Sequence, residues 1–165
     1  MRRGDILLFD NHTRLGGAVK FFTHSEWGHV ALARDEEKLF DFSREGSRIT
    51  TLATLVAEDY RRSWGVFRDD QPNQKRQFIK TYETLFKYSC YDNHSILALA
   101  RKLVFGRDDD NLHKEPFTYH CASILAHTYL LCDNQSTYRN IFKGQNYHWS
   151  QVVPDDYARQ LRRVE

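Results

Sequence analysis

Apolar and polar positions follow a few clear rhythms along the chain. Ile6-Leu7-Leu8-Phe9 is a short unbroken apolar run, the pattern of a buried strand. The polar Asp10-Asn11-His12-Thr13 after it supplies N-cap residues for a helix over 15–22, which Gly16-Gly17 weaken while permitting close packing. His29-Val30-Ala31-Leu32-Ala33 and Lys38-Leu39-Phe40-Asp41-Phe42-Ser43 flank the charged Arg34-Asp35-Glu36-Glu37 and predict two antiparallel strands joined by a four-residue turn. Thr50 to Ala57 carries Leu52, Leu55 and Val56 at helical spacing, and Ser63 to Phe67 returns as a strand. Asp69-Asp70-Gln71-Pro72 then opens a helix with proline at an early position.

The clearest helix follows, because Phe78, Ile79, Tyr82, Leu85 and Phe86 recur on one face of a 3.6-residue period. A second is predicted over Ile96 to Phe105, ending in the solvated loop 106–111, and a third over His120 to Cys132. A last helix is expected from Pro154 to Arg163. Its proline and Asp155-Asp156 stand at the start and Arg159, Arg162 and Arg163 near the end, matching the helix dipole. No repeat, low-complexity tract or linker divides the chain. The expectation is one α+β domain over residues 1–165, a small antiparallel sheet or half-barrel packed against helices.

Composition narrows the function classes. The 165 residues are 41% hydrophobic and 14% aromatic, as in a globular protein. Twenty-four basic and 22 acidic residues are mixed throughout for a net charge of +2, which gives no field for binding nucleic acid. Three cysteines, Cys90, Cys121 and Cys132, are an odd number without close pairing, which argues against a disulfide framework and leaves room for a working thiol. The apolar run near Met1 is too short for a signal peptide or a transmembrane segment. The expectation is a protein made in the cytoplasm, with export only through a dedicated secretion system.

Cys121 falls at the predicted N-terminus of a helix, where unpaired N–H groups and the dipole favour a thiolate. It also shares a helical face with Ile124, Leu125, Thr128 and Cys132, so burial as a core residue competes with a role as nucleophile. His29 opens a predicted strand, a position from which an imidazole can face a cleft rigidly. Asp41 on the neighbouring strand could accept the second ring N–H, or it could be an exposed strand-face carboxylate. Eight His and three Cys invite a zinc site, yet neither His24 with His29 nor His120 with Cys121 has a recognised ligand spacing, so no metal is assigned.

Gly4-Asp5-Ile6-Leu7-Leu8-Phe9, Thr23-His24-Ser25-Glu26-Trp27-Gly28-His29-Val30 and a later Cys helix together resemble the YiiX-like branch of the NlpC/p60 superfamily. Tyr91-Asp92, Asp108-Asp109-Asp110, Phe117-Thr118-Tyr119 and Val152-Val153-Pro154-Asp155-Asp156 extend the resemblance over most of the chain. In that branch the papain-like order is circularly permuted, so a strand-borne His precedes the Cys; His29 and Cys121 match those slots. Two positions depart from the pattern. His120 stands where the family often has Tyr directly before the Cys, and the third polar residue, often Glu, aligns loosely with Asp41 or Phe42. His120, or Tyr119 one residue earlier, becomes the candidate side chain for an oxyanion, with capping of the helix as the alternative role of His120. Trp27 is a candidate to line the cleft, with core packing as the other possibility.

The resemblance implies a cofactor-free cysteine hydrolase acting on amide bonds, first among them those of peptidoglycan stem peptides. It also fits an exported antibacterial effector, whose partner would be an immunity protein covering the cleft. Permuted relatives that act on acyl chains make a lipid or N-acyl hydrolase or acyltransferase the alternative. A non-catalytic binding module is the rival of another class.

Overall fold

Ile6–Phe9 is β1, and its unbroken apolar run reflects burial on both sides. Ile6 and Leu8 face a larger core, while Leu7 and Phe9 face a smaller one. β1 pairs antiparallel with β2 (His29–Ala33) on one side and β5 (Trp64–Arg68) on the other. β3 (Lys38–Ser43) and β4 (Gly46–Thr51) extend the sheet beyond β2, and β8 (Arg162–Arg163) closes its far edge. The order is β4-β3-β2-β1-β5-β8, with every pairing antiparallel. β6 (Cys90–Tyr91) and β7 (Thr118–Tyr119) form a separate parallel pair. The structure, a computed structural model, describes residues 1–10, 17, 20–21, 25–58, 63–69, 75–92, 118–132 and 152–164.

Four helices are described: α1 (Leu52–Glu58), α2 (Lys75–Tyr88), α3 (Cys121–Leu131) and α4 (Pro154–Gln160). The five apolar residues that the 3.6-residue period picks out on α2 are all buried. With α3 they cover Ile6, Leu8, Val30, Leu32, Phe40, Phe42 and Phe67 of the sheet. Leu55 of α1 packs into the smaller core with Leu7, Phe9, Ala31, Ala33, Leu39 and Val66. The expected α+β architecture is therefore present. Among the described residues no helix is long and apolar enough to cross a membrane.

Two expectations need correction. Thr50 and Thr51 are not helical; they end β4, a strand that the sequence pattern did not mark. Its residues are alternately half-buried and exposed at the sheet edge, so they carry no apolar alternation to read. The last helix stops at Gln160, and Arg162 and Arg163 pair with Arg68 and Phe67 instead of neutralising a helix end. The edge of β5 would otherwise leave backbone groups open, and Val164 N donates to Val66 O at 2.8 Å. Of the helix predicted over 15–22, Gly17, Lys20 and Phe21 are helical and the rest lies outside the described residues. The helix over Ile96 to Phe105, the loop 106–111 and the proposed helix opening around Pro72 also lie outside them.

One ion pair anchors the centre of the sheet. Asp5, fully buried beside β1, accepts from Arg68 Nε at 2.7 Å and Nη2 at 2.8 Å, and from Arg2 N at 2.6 Å. Burial alone would raise the Asp5 carboxyl, but the Arg68 fork and the Arg2 amide hold it below its ordinary value. Asp5→Ala, which strands Arg68, is expected to cost about 3–5 kcal/mol in urea denaturation at neutral pH. Because the native value is lowered, this contribution is present above 3.8 and is lost as pH falls through the native value, so the difference from wild type should shrink in acid. An unchanged midpoint for Asp5→Ala at neutral pH would contradict this account.

Candidate active site

The register of the first hairpin places a histidine and a carboxylate together. Asp41 of β3 sits opposite Ala31, two residues along β2 from His29 at the start of that strand, which brings the two side chains within reach of each other. His29 Nε2 meets Asp41 Oδ1 at 2.7 Å, with His29 buried and Asp41 fully so. The second carboxylate oxygen, Oδ2, accepts from Arg48 Nε at 2.8 Å. Burial favours a neutral Asp41, yet bonds and charge from His29 and Arg48 outweigh it and keep the carboxyl ionised below its usual range.

The sulfur arrives from the opposite direction. α3 is apolar nearly all round, and most of its residues from Cys121 to Tyr129 are buried, which fixes it against α2, β2 and β3. Cys121 is its first residue, where helix geometry leaves the backbone N–H without an intrahelical acceptor. His120 caps the helix: its Nδ1 accepts from Ser123 N at 3.3 Å, and Ser123 Oγ accepts from His120 N at 2.8 Å. The capping role open from the sequence is thus filled, and it has a chemical consequence. A ring nitrogen accepting from Ser123 carries no proton, which leaves the His120 proton on Nε2.

Cys121 is hydrogen-bonded by both His29 and His120. With His29 Nε2 on Asp41, Nδ1 remains for the sulfur. Burial would push the Cys121 thiol up, but the His29 charge and the two imidazole hydrogen bonds reverse that and lower it far below 9.0. Burial likewise disfavours a charged His29, while the adjacent sulfur and the Asp41 carboxylate raise it well above 6.5. The two shifts have one cause, a thiolate–imidazolium pair held in a dry setting by an ionised carboxylate.

The remaining predicted residues sit elsewhere. The Tyr119 hydroxyl contacts His127 Nδ1 at 2.6 Å, so of the two oxyanion candidates His120 is the one at the sulfur. Trp27 is buried edge-on against Phe67, with ring centroids 6.0 Å apart and the Arg163 guanidinium 5.9 Å from its ring. Gly65 makes room for it, since a Cβ there would stand 2.9 Å from Phe67 Cε2 and 3.4 Å from the indole. Trp27 is spent on packing.

Two residues near the centre had not been singled out. Arg48 faces Asp41 across the β3–β4 register, on either side of the two-residue turn Arg44-Glu45 that precedes Gly46 at φ 107°, a pairing hidden in the sequence because β4 carries no pattern to read. Tyr82, which the helical period assigns to the core, lies close enough to Cys121 and Asp41 that their charges join burial in raising its hydroxyl. It is thus an uncharged neighbour of the pair.

No protein-family model matches the chain, and no curated protein matches it. Among solved structures, the metalloprotein yiiX from Escherichia coli O157:H7, of the class DUF1105, matches with a TM-score of 0.58 at 15% sequence identity. The match covers 99% of this chain and 96% of that one, so the fold is YiiX-like. That protein is named a metalloprotein. Among the described residues of this chain, no group of three His, Cys, Asp or Glu side chains is placed to hold a metal ion.

Proposed function

We propose that this chain is a cysteine hydrolase of the NlpC/p60 superfamily that cleaves amide bonds, with peptidoglycan stem peptides as its substrate. The observation that carries the reading is the meeting of Cys121, first residue of a buried helix, with an imidazole whose other nitrogen is held at 2.7 Å by the Asp41 carboxylate. The YiiX-like fold agrees with the family resemblance of the sequence. The substrate class rests on that resemblance.

In this mechanism the Cys121 thiolate attacks the amide carbonyl carbon and forms a C–S bond. The oxyanion is received by the Cys121 backbone N–H and by Nε2–H of His120. His29, as imidazolium, passes its proton to the departing amine as the C–N bond breaks. Neutral His29 then takes a proton from water, whose oxygen attacks the thioester, and the acid leaves with the thiolate restored. Asp41 stabilises the imidazolium throughout and fixes its tautomer.

Mass spectrometry of purified peptidoglycan digests tests the proposal. Wild type is expected to release stem-peptide fragments with a new carboxyl terminus, and Cys121→Ala none. Equal cleavage by Cys121→Ala would remove the sulfur from the chemistry. Activity on phospholipid with intact peptidoglycan would move the substrate to acyl chains.

A further inference from the structure

The two halves of the site come from distant parts of the chain, and the same short element touches both. Asp155 of α4 is nearly buried, and its Oδ1 accepts from Ser25 Oγ at 2.6 Å, Glu26 N at 3.1 Å and, at 3.4 Å, Trp27 N. Ser25 Oγ also accepts from Trp27 N at 3.0 Å and lies 2.6 Å from Trp27 O. These bonds hold the segment that delivers the chain to His29, and Gly28 N is fixed in turn by Phe9 O at 2.9 Å. Two residues further along α4, the buried Tyr157 hydroxyl donates to Ala122 O at 2.8 Å, in the helical turn that begins with Cys121.

We propose that α4 is a brace that sets the separation of His29 and Cys121, with Asp155 and Tyr157 as positioning residues on its two arms. Ordinary packing of α4 would be met by apolar contact alone, as Tyr157 and Ala158 make it. A buried carboxylate on the loop before His29 and a buried hydroxyl on the turn of Cys121 instead give each arm a directed bond. Such bonds specify position more sharply than apolar area does. The brace leaves its two residues off the reacting atoms; they act through His29 and Cys121. This inference rests on the thiolate–imidazolium reading of the site.

The test is alkylation of Cys121 by iodoacetamide in the folded full chain, read by mass spectrometry of the Cys121 peptide at pH 6.5 and 9.0, with melting temperature measured in parallel. Wild type should react almost equally at both values. Asp155→Ala and Tyr157→Phe should lose about tenfold in rate at the lower pH relative to the higher, the effect of a thiol so far released from its stabilisation that it titrates between the two pH values. Asp155→Asn keeps an oxygen acceptor for Ser25, Glu26 and Trp27 and should restore the wild-type ratio. Folded Asp155→Ala and Tyr157→Phe with the wild-type ratio would overturn the brace, as would an Asn variant that behaves like Ala. Should Asp155→Ala fail to fold, Tyr157→Phe decides alone. A wild-type protein that reacts only at the higher pH would instead remove the thiolate on which the brace depends.

Discussion

His29→Ala is expected to abolish hydrolysis, with kcat/KM falling on the order of 10⁶-fold, the cost of taking the base from a triad that acts as a unit. The physical reason is a single group doing two things. His29 supplies the charge that lowers Cys121 against the opposing effect of burial, and it carries the proton to the leaving amine. Without it the buried sulfur keeps its proton at neutral pH, and the His120 hydrogen bond alone does not provide a base. The pH profile of the wild type checks the same point. A thiol lowered from 9.0 stays ionised to more acidic pH, and an imidazole raised from 6.5 stays charged to more alkaline pH. Activity should therefore be nearly flat between those two ordinary values, with its limbs outside them. A rate that climbs with pH up to 9.0 would mean that the pair does not form.

Asp41→Ala should be nearly as damaging and should also weaken the fold. Two cationic groups point at this fully buried carboxylate, His29 at 2.7 Å and Arg48 at 2.8 Å. Its removal frees the imidazole to turn and withdraws the charge that stabilises the imidazolium, so kcat/KM should fall roughly 10⁴-fold, as when the acid of a serine-type triad is replaced. Stranding the partner charges should lower unfolding stability by about 3–5 kcal/mol at neutral pH. The native Asp41 value is depressed, by His29 and Arg48 against burial, so its contribution exists above 3.8 and vanishes as pH drops through the native value. Urea titrations of both proteins should accordingly converge in acid. Equal activity and equal midpoints at neutral pH would show that the carboxylate is not what holds His29.

A single buried carboxylate thus serves stability and the proposed chemistry together. The same economy recurs at His120, whose Nδ1 completes a helix cap and thereby fixes the proton on the nitrogen available to the sulfur. A histidine at this position places a donor next to Cys121 and supplies the cap.

Much of the framework is local and could be read from residue order. The run Ile6–Phe9, the strands flanking Arg34–Glu37 and the buried stripe of α2 follow from periods of 2 and 3.6, which depend on nothing beyond near neighbours. Cys121 at a helix start and His29 at a strand start were legible for the same reason. Pattern failed at the sheet edges. β4 buries no apolar side chain and leaves Ile49 exposed, and Arg162-Arg163 looked like a helix end because charge at a terminus reads alike whether the chain continues as helix or crosses to a strand.

Residue order alone therefore determined the central strands and helices, which faces they bury, and which side chains have the right chemistry. Only the tertiary structure decided that His29 and Cys121 meet, that Arg48 shares Asp41 with His29, that Trp27 is packing and Tyr119 turns to His127, and that α4 spans the two halves. The reason is that periodicity records that a face is buried and carries no label for the partner that buries it. Contacts between residues far apart in sequence are settled by how the sheet and helices pack, where each pairing competes with every other.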